Sequence, residues 1–279
     1  MGFDVTLGQY YETNSVIHKA DPRAKLFFML FFLIATFVAK NVYAFLFLTV
    51  VALISILISK VPFVVVAKGL KPITIIVAFT ALLNIFWGRG ENLLVTFTVI
   101  PNFWTVNIYK EGIINALLMT QRIITLLAAT SLYFSYATTP IALTDGLEKF
   151  FGPLKKIKVP VHEFTMIMTI ALRFIPTLID ETTKIMNAQK ARGADFSSGG
   201  LIKRAKALIP IIIPLFISAF RRAEELATAM ECRCYHGGTG RTRMNELKMK
   251  FSDYVMFFIG LSVLVGVILI NIYAKGYRV

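Results

Sequence analysis

Two arginines stand where helical runs stop, each between small residues. Ala191-Arg192-Gly193 closes the run that contains Ala188-Gln189-Lys190, and Cys232-Arg233-Cys234 closes the run that contains Ala229-Met230-Glu231. A guanidinium is always charged and presents a planar fork that matches a carboxylate, so it suits a contact that must transmit force. Small neighbours let another surface come close to it. An arginine near a helix C-terminus also complements the exposed carbonyls of the last turn, which would explain either position alone. The doubling, with small flanks both times, favours docking onto another protein.

Other chemistry-bearing residues are sparser. Arg122 lies inside an apolar run, where a charge is either functional or paired in the protein interior, here beside Gln121. Asp180-Glu181 is the nearest approach to a carboxylate pair, but Thr182, Thr183 and Lys184 follow it and suit a solvated helix face. Cys232, Cys234 and His236 have the residue types of a metal site, yet residues two apart on a helix point in nearly opposite directions. They read as small residues at a helix end, with no metal and no cofactor expected. There is no Gly-x-x-x-x-Gly-Lys-Ser/Thr, no His-Glu-x-x-His and no Gly-x-Ser-x-Gly. If ATP drives this protein, another chain hydrolyses it.

The elements that must position these residues are apolar. The 279 residues are 56% hydrophobic, with a mean hydropathy of +0.68, which is the composition of an integral membrane protein. The net charge of +14 carries no nucleic-acid-binding signature and fits the cytoplasmic leaflet instead. The only cysteines, 232 and 234, sit in a basic segment, which points to a reducing cytosol and excludes a disulfide framework. The first 19 residues are polar, and no cleavable signal peptide is expected.

Five spans are expected: Leu26 to Ala39, Val42 to Ser59, Ile73 to Trp87 closed by Gly88-Arg89-Gly90, Gly112 to Tyr136, and Asp253 to Ile272. Asp21-Pro22 predicts the start of the first helix. Residues 91–111, with Pro101, Phe103, Trp104 and Tyr109, read as a mixed interfacial loop. Pro140 to Phe151 reads as a short amphipathic helix. Residues 162–192 and 200–235 read as two long helices, the second with kinks expected at Pro210 and Pro214. The division expected is 1–137 for the first four spans, 138–250 for a cytoplasmic coupling module, and 251–279 for the last span.

Lysine and arginine counts orient the chain. The tail carries Lys19, Arg23 and Lys25, the second loop Lys60, Lys68 and Lys71, and residues 145–253 carry 18 Lys/Arg against 11 Asp/Glu. These are predicted to be cytoplasmic. Phe164 to Ile179 and Ala207 to Ala219 are apolar enough to imitate spans, but both are short and Arg173 interrupts the first. They are expected to pack on each other and on the membrane part.

Several stretches together resemble a known family. They are Thr138-Thr139-Pro140 at the end of the run from Arg122, Pro160-Val161-His162-Glu163, Leu172-Arg173-Phe174-Ile175-Pro176, Ala188 to Gly193, Pro214-Leu215, Arg221-Arg222-Ala223, Ala229-Met230 and Arg241-Thr242-Arg243. Over nearly its whole length the chain resembles the transmembrane T subunit of energy-coupling factor (ECF) transporters, the EcfT/CbiQ family.

The resemblance implies an all-α membrane scaffold with two long crossed coupling helices, each ending in an Ala-Arg-Gly-type motif. The motif arginines would dock into a pair of ATP-binding-cassette ATPases. Ala191-Arg192-Gly193 matches fully, while Cys232-Arg233-Cys234 keeps the arginine and replaces both small neighbours. It also implies a separate substrate-binding membrane subunit, the S subunit, importing a vitamin or metal ion. On the coupling helices Phe164, Ile167, Phe174, Ile211 and Phe216 are candidates to touch it.

From the residues alone, two other classes stay open. A stand-alone transporter or channel would show polar residues converging in several spans. A membrane enzyme would show a clustered acid, base or metal set at one interface.

Overall fold

The computed structural model describes residues 10–87, 93–100, 104–196, 200–237 and 249–274. Helices dominate because the apolar runs are punctuated by caps. Asp21 accepts a hydrogen bond from the Arg23 N–H at 2.9 Å, and Pro22 opens α2 (Pro22–Val38) just after the single turn α1 (Val16–Lys19). Asn41 precedes α3 (Val42–Ser59), and Lys60 ends it in the left-handed region at φ 57°. The expected bounds of this helix are met at both ends.

The next helix starts earlier than its hydropathy suggests. α4 (Phe63–Leu70) runs through one 3-10 turn at Lys71–Ile73 into α5 (Thr74–Trp87). Pro62 and Pro72 sit at starting positions, where a missing N–H costs little. Lys68 and Lys71 are therefore part of the helical rod rather than of a loop. The expected mixed loop at 91–111 is instead an antiparallel pair, β1 (Leu93–Ile100) and β2 (Trp104–Tyr109), with Val95 opposite Ile108 and Phe97 opposite Val106. α6 (Lys110–Thr130) continues as a π-helical turn, Ser131–Tyr136, and α7 (Pro140–Phe150) follows. The long helices are α8 (Val161–Ala191) and α9 (Leu201–Cys232), and α10 (Phe251–Tyr273) is the last. α9 is one unbroken helix through Pro210 and Pro214, and α8 through Pro176. The Gly88-Arg89-Gly90 turn and Arg241-Thr242-Arg243 lie outside the described residues.

Among the described residues, five helices are long and apolar enough to cross a membrane: Val42–Ser59, Phe63–Phe86, Lys110–Tyr136, Val161–Ala191 and Phe251–Tyr273. The set differs from the expected one by an exchange. α2 has 17 residues and is just too short. α8 is included because Arg173 is its only charge between Phe164 and Ile179.

The chain forms two compact units, residues 8–146 with 247–279, and residues 147–246. The first unit is built on α2 and α10, which run parallel. At their starts, Asp253 accepts from the Asp21 N–H at 2.8 Å and from the Lys250 N–H at 2.7 Å. At their ends, Asn271 donates to the Val38 carbonyl at 2.8 Å and Asn41 donates to the Ala274 carbonyl at 2.9 Å. Gly260 permits the close approach, since a Cβ there would stand 3.1 Å from the Phe28 Cα.

Lys25, only 2% exposed, donates to the carbonyls of Ala137 at 2.7 Å and His18 at 3.2 Å. The Tyr136 carbonyl accepts from the Tyr11 N–H at 3.1 Å and faces His18 Nε2 at 3.2 Å. A carbonyl only accepts, so Nε2 carries the ring proton. These bonds bring the end of α6, the start of α2 and the start of α10 to one end of the bundle. Tyr136 and Phe251 therefore lie at the same end of this unit.

Arg122 is held within this unit. Its guanidinium donates to the Ala39 carbonyl at 3.0 Å, at the C-terminus of α2, and lies 4.9 Å from the Phe45 ring centre. Gln121 donates to Thr49 Oγ1 at 2.7 Å. The intramembrane charge is thus a clasp between α6, α2 and α3.

Candidate functional site

The unit of residues 147–246 carries the two arginines, and its geometry is set by two contacts between α8 and α9. Glu181 accepts from Ser218 Oγ at 2.6 Å and from Arg222 Nη2 at 3.2 Å. Tyr235, three residues past the end of α9, donates its hydroxyl to Met166 Sδ at 3.0 Å. Moving back along α8 from Glu181 to Met166 moves forward along α9, so the helices are antiparallel. Arg233 therefore stands beside the start of α8. Arg192 lies about 39 Å away along α8, at 1.5 Å of rise per residue from Met166.

The two ends have the same construction. At the first, Arg192 is the cap residue with φ −86°, Gly193 follows at φ 86°, and two turn-closing bonds run from Gly193 N to Lys190 O at 3.0 Å and from Ala194 N to Gln189 O at 3.0 Å. At the second, Arg233 is the cap residue with φ −95° and Cys234 follows at φ 54°. Its bonds run from Cys234 N to Glu231 O at 2.9 Å and from Tyr235 N to Met230 O at 3.1 Å. Both are Schellman turns. The small residue after each arginine thus answers a backbone need, the left-handed conformation. Glycine takes it freely and cysteine takes it at a cost. The sequence signal for this was the glycine after Arg192. The cysteine after Arg233 carries no such signal for a positive φ.

All six predicted tip residues, Ala191, Arg192, Gly193, Cys232, Arg233 and Cys234, are exposed, and both thiols are free. Among the described residues neither tip guanidinium has a hydrogen-bond or ion-pair partner. Arg122 and Arg222, by contrast, are engaged within the chain.

The five apolar candidates divide. Phe164, Ile167 and Phe216 are 66%, 61% and 62% exposed, and Phe174 is half-buried. Ile211 is 3% exposed, so the structure removes it from any surface offered to another chain. An isoleucine in an apolar run serves inner packing as readily as an outward face.

Taken together, these features define a helical membrane protein whose exposed helix ends carry unpaired cations. Comparison with known proteins fixes the class further. Residues 13–244 match the family model CbiQ, described as cobalt transport protein. The energy-coupling factor transporter transmembrane protein EcfT of Clostridium kluyveri is 53% identical over 254 residues, 90% of this chain and 91% of the relative. That of Ruminiclostridium cellulolyticum is 50% identical over 268 residues, covering 96% and 97%. That of Lactococcus lactis subsp. cremoris is 42% identical over 272 residues, covering 98% of each. The chain belongs to the CbiQ/EcfT family and is the energy-coupling transmembrane component of an ECF transporter, a non-catalytic transporter subunit.

Proposed function

We propose that this chain is the scaffold through which two cytosolic ATP-binding-cassette ATPases drive a separate substrate-binding membrane subunit. The observation that carries the reading is the pair of like-built, exposed, unpartnered arginine tips at opposite ends of an antiparallel helix pair. Two cations about 39 Å apart along a helix do not fit one groove. They fit two sites, one on each of two similar subunits. ATP-driven closure of those subunits changes the distance between the tips and so moves α8 against α9, the two-state element such a switch requires.

The orientation follows from charge and from the parallel α2 and α10. The N-terminus and residues 138–250 are cytoplasmic, and the chain is multi-pass in the plasma membrane. The intervening segment starts and ends at the same end of the bundle, so it crosses an even number of times. α8 alone is not a span. The exposed Phe164, Ile167 and Phe216, with Phe174 at their margin, are the surface offered to the substrate-binding subunit. The cargo class is a vitamin or a transition-metal ion, selected by that subunit.

The test is co-purification and uptake with Arg192→Glu and Arg233→Glu. Each variant is expected in the membrane at ordinary levels with reduced ATPase association, and the double variant without it. Full uptake by the double variant would contradict the reading.

A further inference from the structure

The first unit contains a groove that the coupling role does not use. It encloses about 370 Å³ and is lined by α1, α2, α3, the π-helical turn and α10, with Ile17, Phe28, Val51 and Met256 among its walls. Its lining is almost wholly apolar. Two of its polar side chains are satisfied within the wall, the Tyr133 hydroxyl donating to Ser55 Oγ at 3.2 Å and Ser55 Oγ donating to the Val51 carbonyl at 2.9 Å. On α10 the groove runs from Ser252 to Val263, about 16 Å at 1.5 Å per residue. That depth matches one leaflet of a hydrocarbon core about 30 Å thick.

The charge at one end is as informative as the walls. Lys19 lies between the lining residues Ile17 and Ala20, Lys60 two positions beyond Ile58, and Lys250 two positions before Ser252. All three lysines are exposed, and they come from the ends of three different elements that meet at this end of the bundle. The carboxylates nearest in sequence are Asp21 and Asp253. Both are buried, and both accept backbone hydrogen bonds. The end of the groove is thus positive, and its depth is greasy for one leaflet.

We propose that this groove binds one acyl chain of an anionic phospholipid, with the phosphate headgroup among Lys19, Lys60 and Lys250. The proposal does not depend on the docking of either arginine tip. A lysine near an anionic membrane surface contributes on the order of 1 kcal/mol, so removing three weakens retention by roughly 100-fold.

The test uses the full chain purified with its co-purifying partners in nanodiscs of either phosphatidylglycerol or phosphatidylcholine, followed by detergent extraction and native mass spectrometry. One retained phosphatidylglycerol, and no retained phosphatidylcholine, is expected. Lys19→Gln combined with Lys60→Gln and Lys250→Gln should release it. Val255→Trp, which narrows the groove without touching the lysines, should release it as well.

Equal retention of both lipids would overturn the anionic preference. Retention unchanged in both variants would overturn the location. Lipid held by the isolated chain but missing from the complex would assign the groove to a partner's helix and overturn the proposal. The triple lysine variant alters only exposed side chains, so the test survives if Val255→Trp does not fold.

Discussion

The ends of α8 and α9 are two versions of one structure. Each places an arginine at the cap, a left-handed residue after it, and the same pair of backbone bonds around the turn. They differ in the residue that goes left-handed, Gly193 in one and Cys234 in the other. The lesson is that the arginine's position is set by backbone geometry. The small residue after it meets the demand for positive φ, and the proposed docking would give the one before it a separate use, clearance for a partner.

The largest expected effect tests whether the two tips are equivalent in use. In the proposed assembly, reversing both charges abolishes ATPase binding, because a buried carboxylate left facing glutamate costs about 3–5 kcal/mol at each tip. Each single reversal leaves one tip engaged, so pull-down of the complex should show partial recovery. Equal and complete loss from either single variant would mean that the tips act as a unit.

Next in size is Arg192→Lys set beside Arg233→Lys. Each keeps the charge and loses the fork, and about a tenfold weaker association is expected from either. Binding measured by titration of purified ATPases would show whether one tip relies on the fork more than the other.

Smaller effects probe the backbone directly. Gly193→Val forces a branched side chain into positive φ and should destabilise the turn by roughly 1–2 kcal/mol. Cys234→Gly should relieve a strain of up to about 1 kcal/mol. Amide exchange at residues 189–194 and 230–235 would read both, and should move in opposite directions. Smallest is Glu181→Gln, which weakens the shared clasp to Ser218 and Arg222. A partly exposed pair of this kind contributes up to about 1 kcal/mol. Its removal should shift thermal unfolding slightly and leave both turns protected.

Much of this arrangement is legible in the sequence, for local reasons. α3 is bounded by Asn41 and Lys60, so an uninterrupted apolar run has unmistakable ends. The starts of α2, α7, α8 and α9, and the stops of α7 and α8, follow from proline, aspartate and glycine placement.

The misses have physical causes too. β1 and β2 are rich in valine, threonine and aromatic residues, a strand signal that an interfacial reading of the same aromatics obscured. The helical start at Phe63 was hidden by Lys68 and Lys71, which interrupt the hydropathy without interrupting the helix. The bonds from Asp253 to Asp21 and from Asn271 to Val38 join residues more than 200 positions apart. No local pattern encodes them. Ile211 shows the limit of an apolar run, which marks a helix but does not say which of its side chains face inward.

Cys234 in its left-handed conformation bears on how such tips are found in other chains. A search that spells the motif in letters passes over the second one. A search for a cation followed at once by a sign change in φ finds both, and it would also admit asparagine, the other common occupant of that position. The alphabet of this turn is then wider than the letters Ala-Arg-Gly, and drift at the flanking residues need not mean that the turn has been lost.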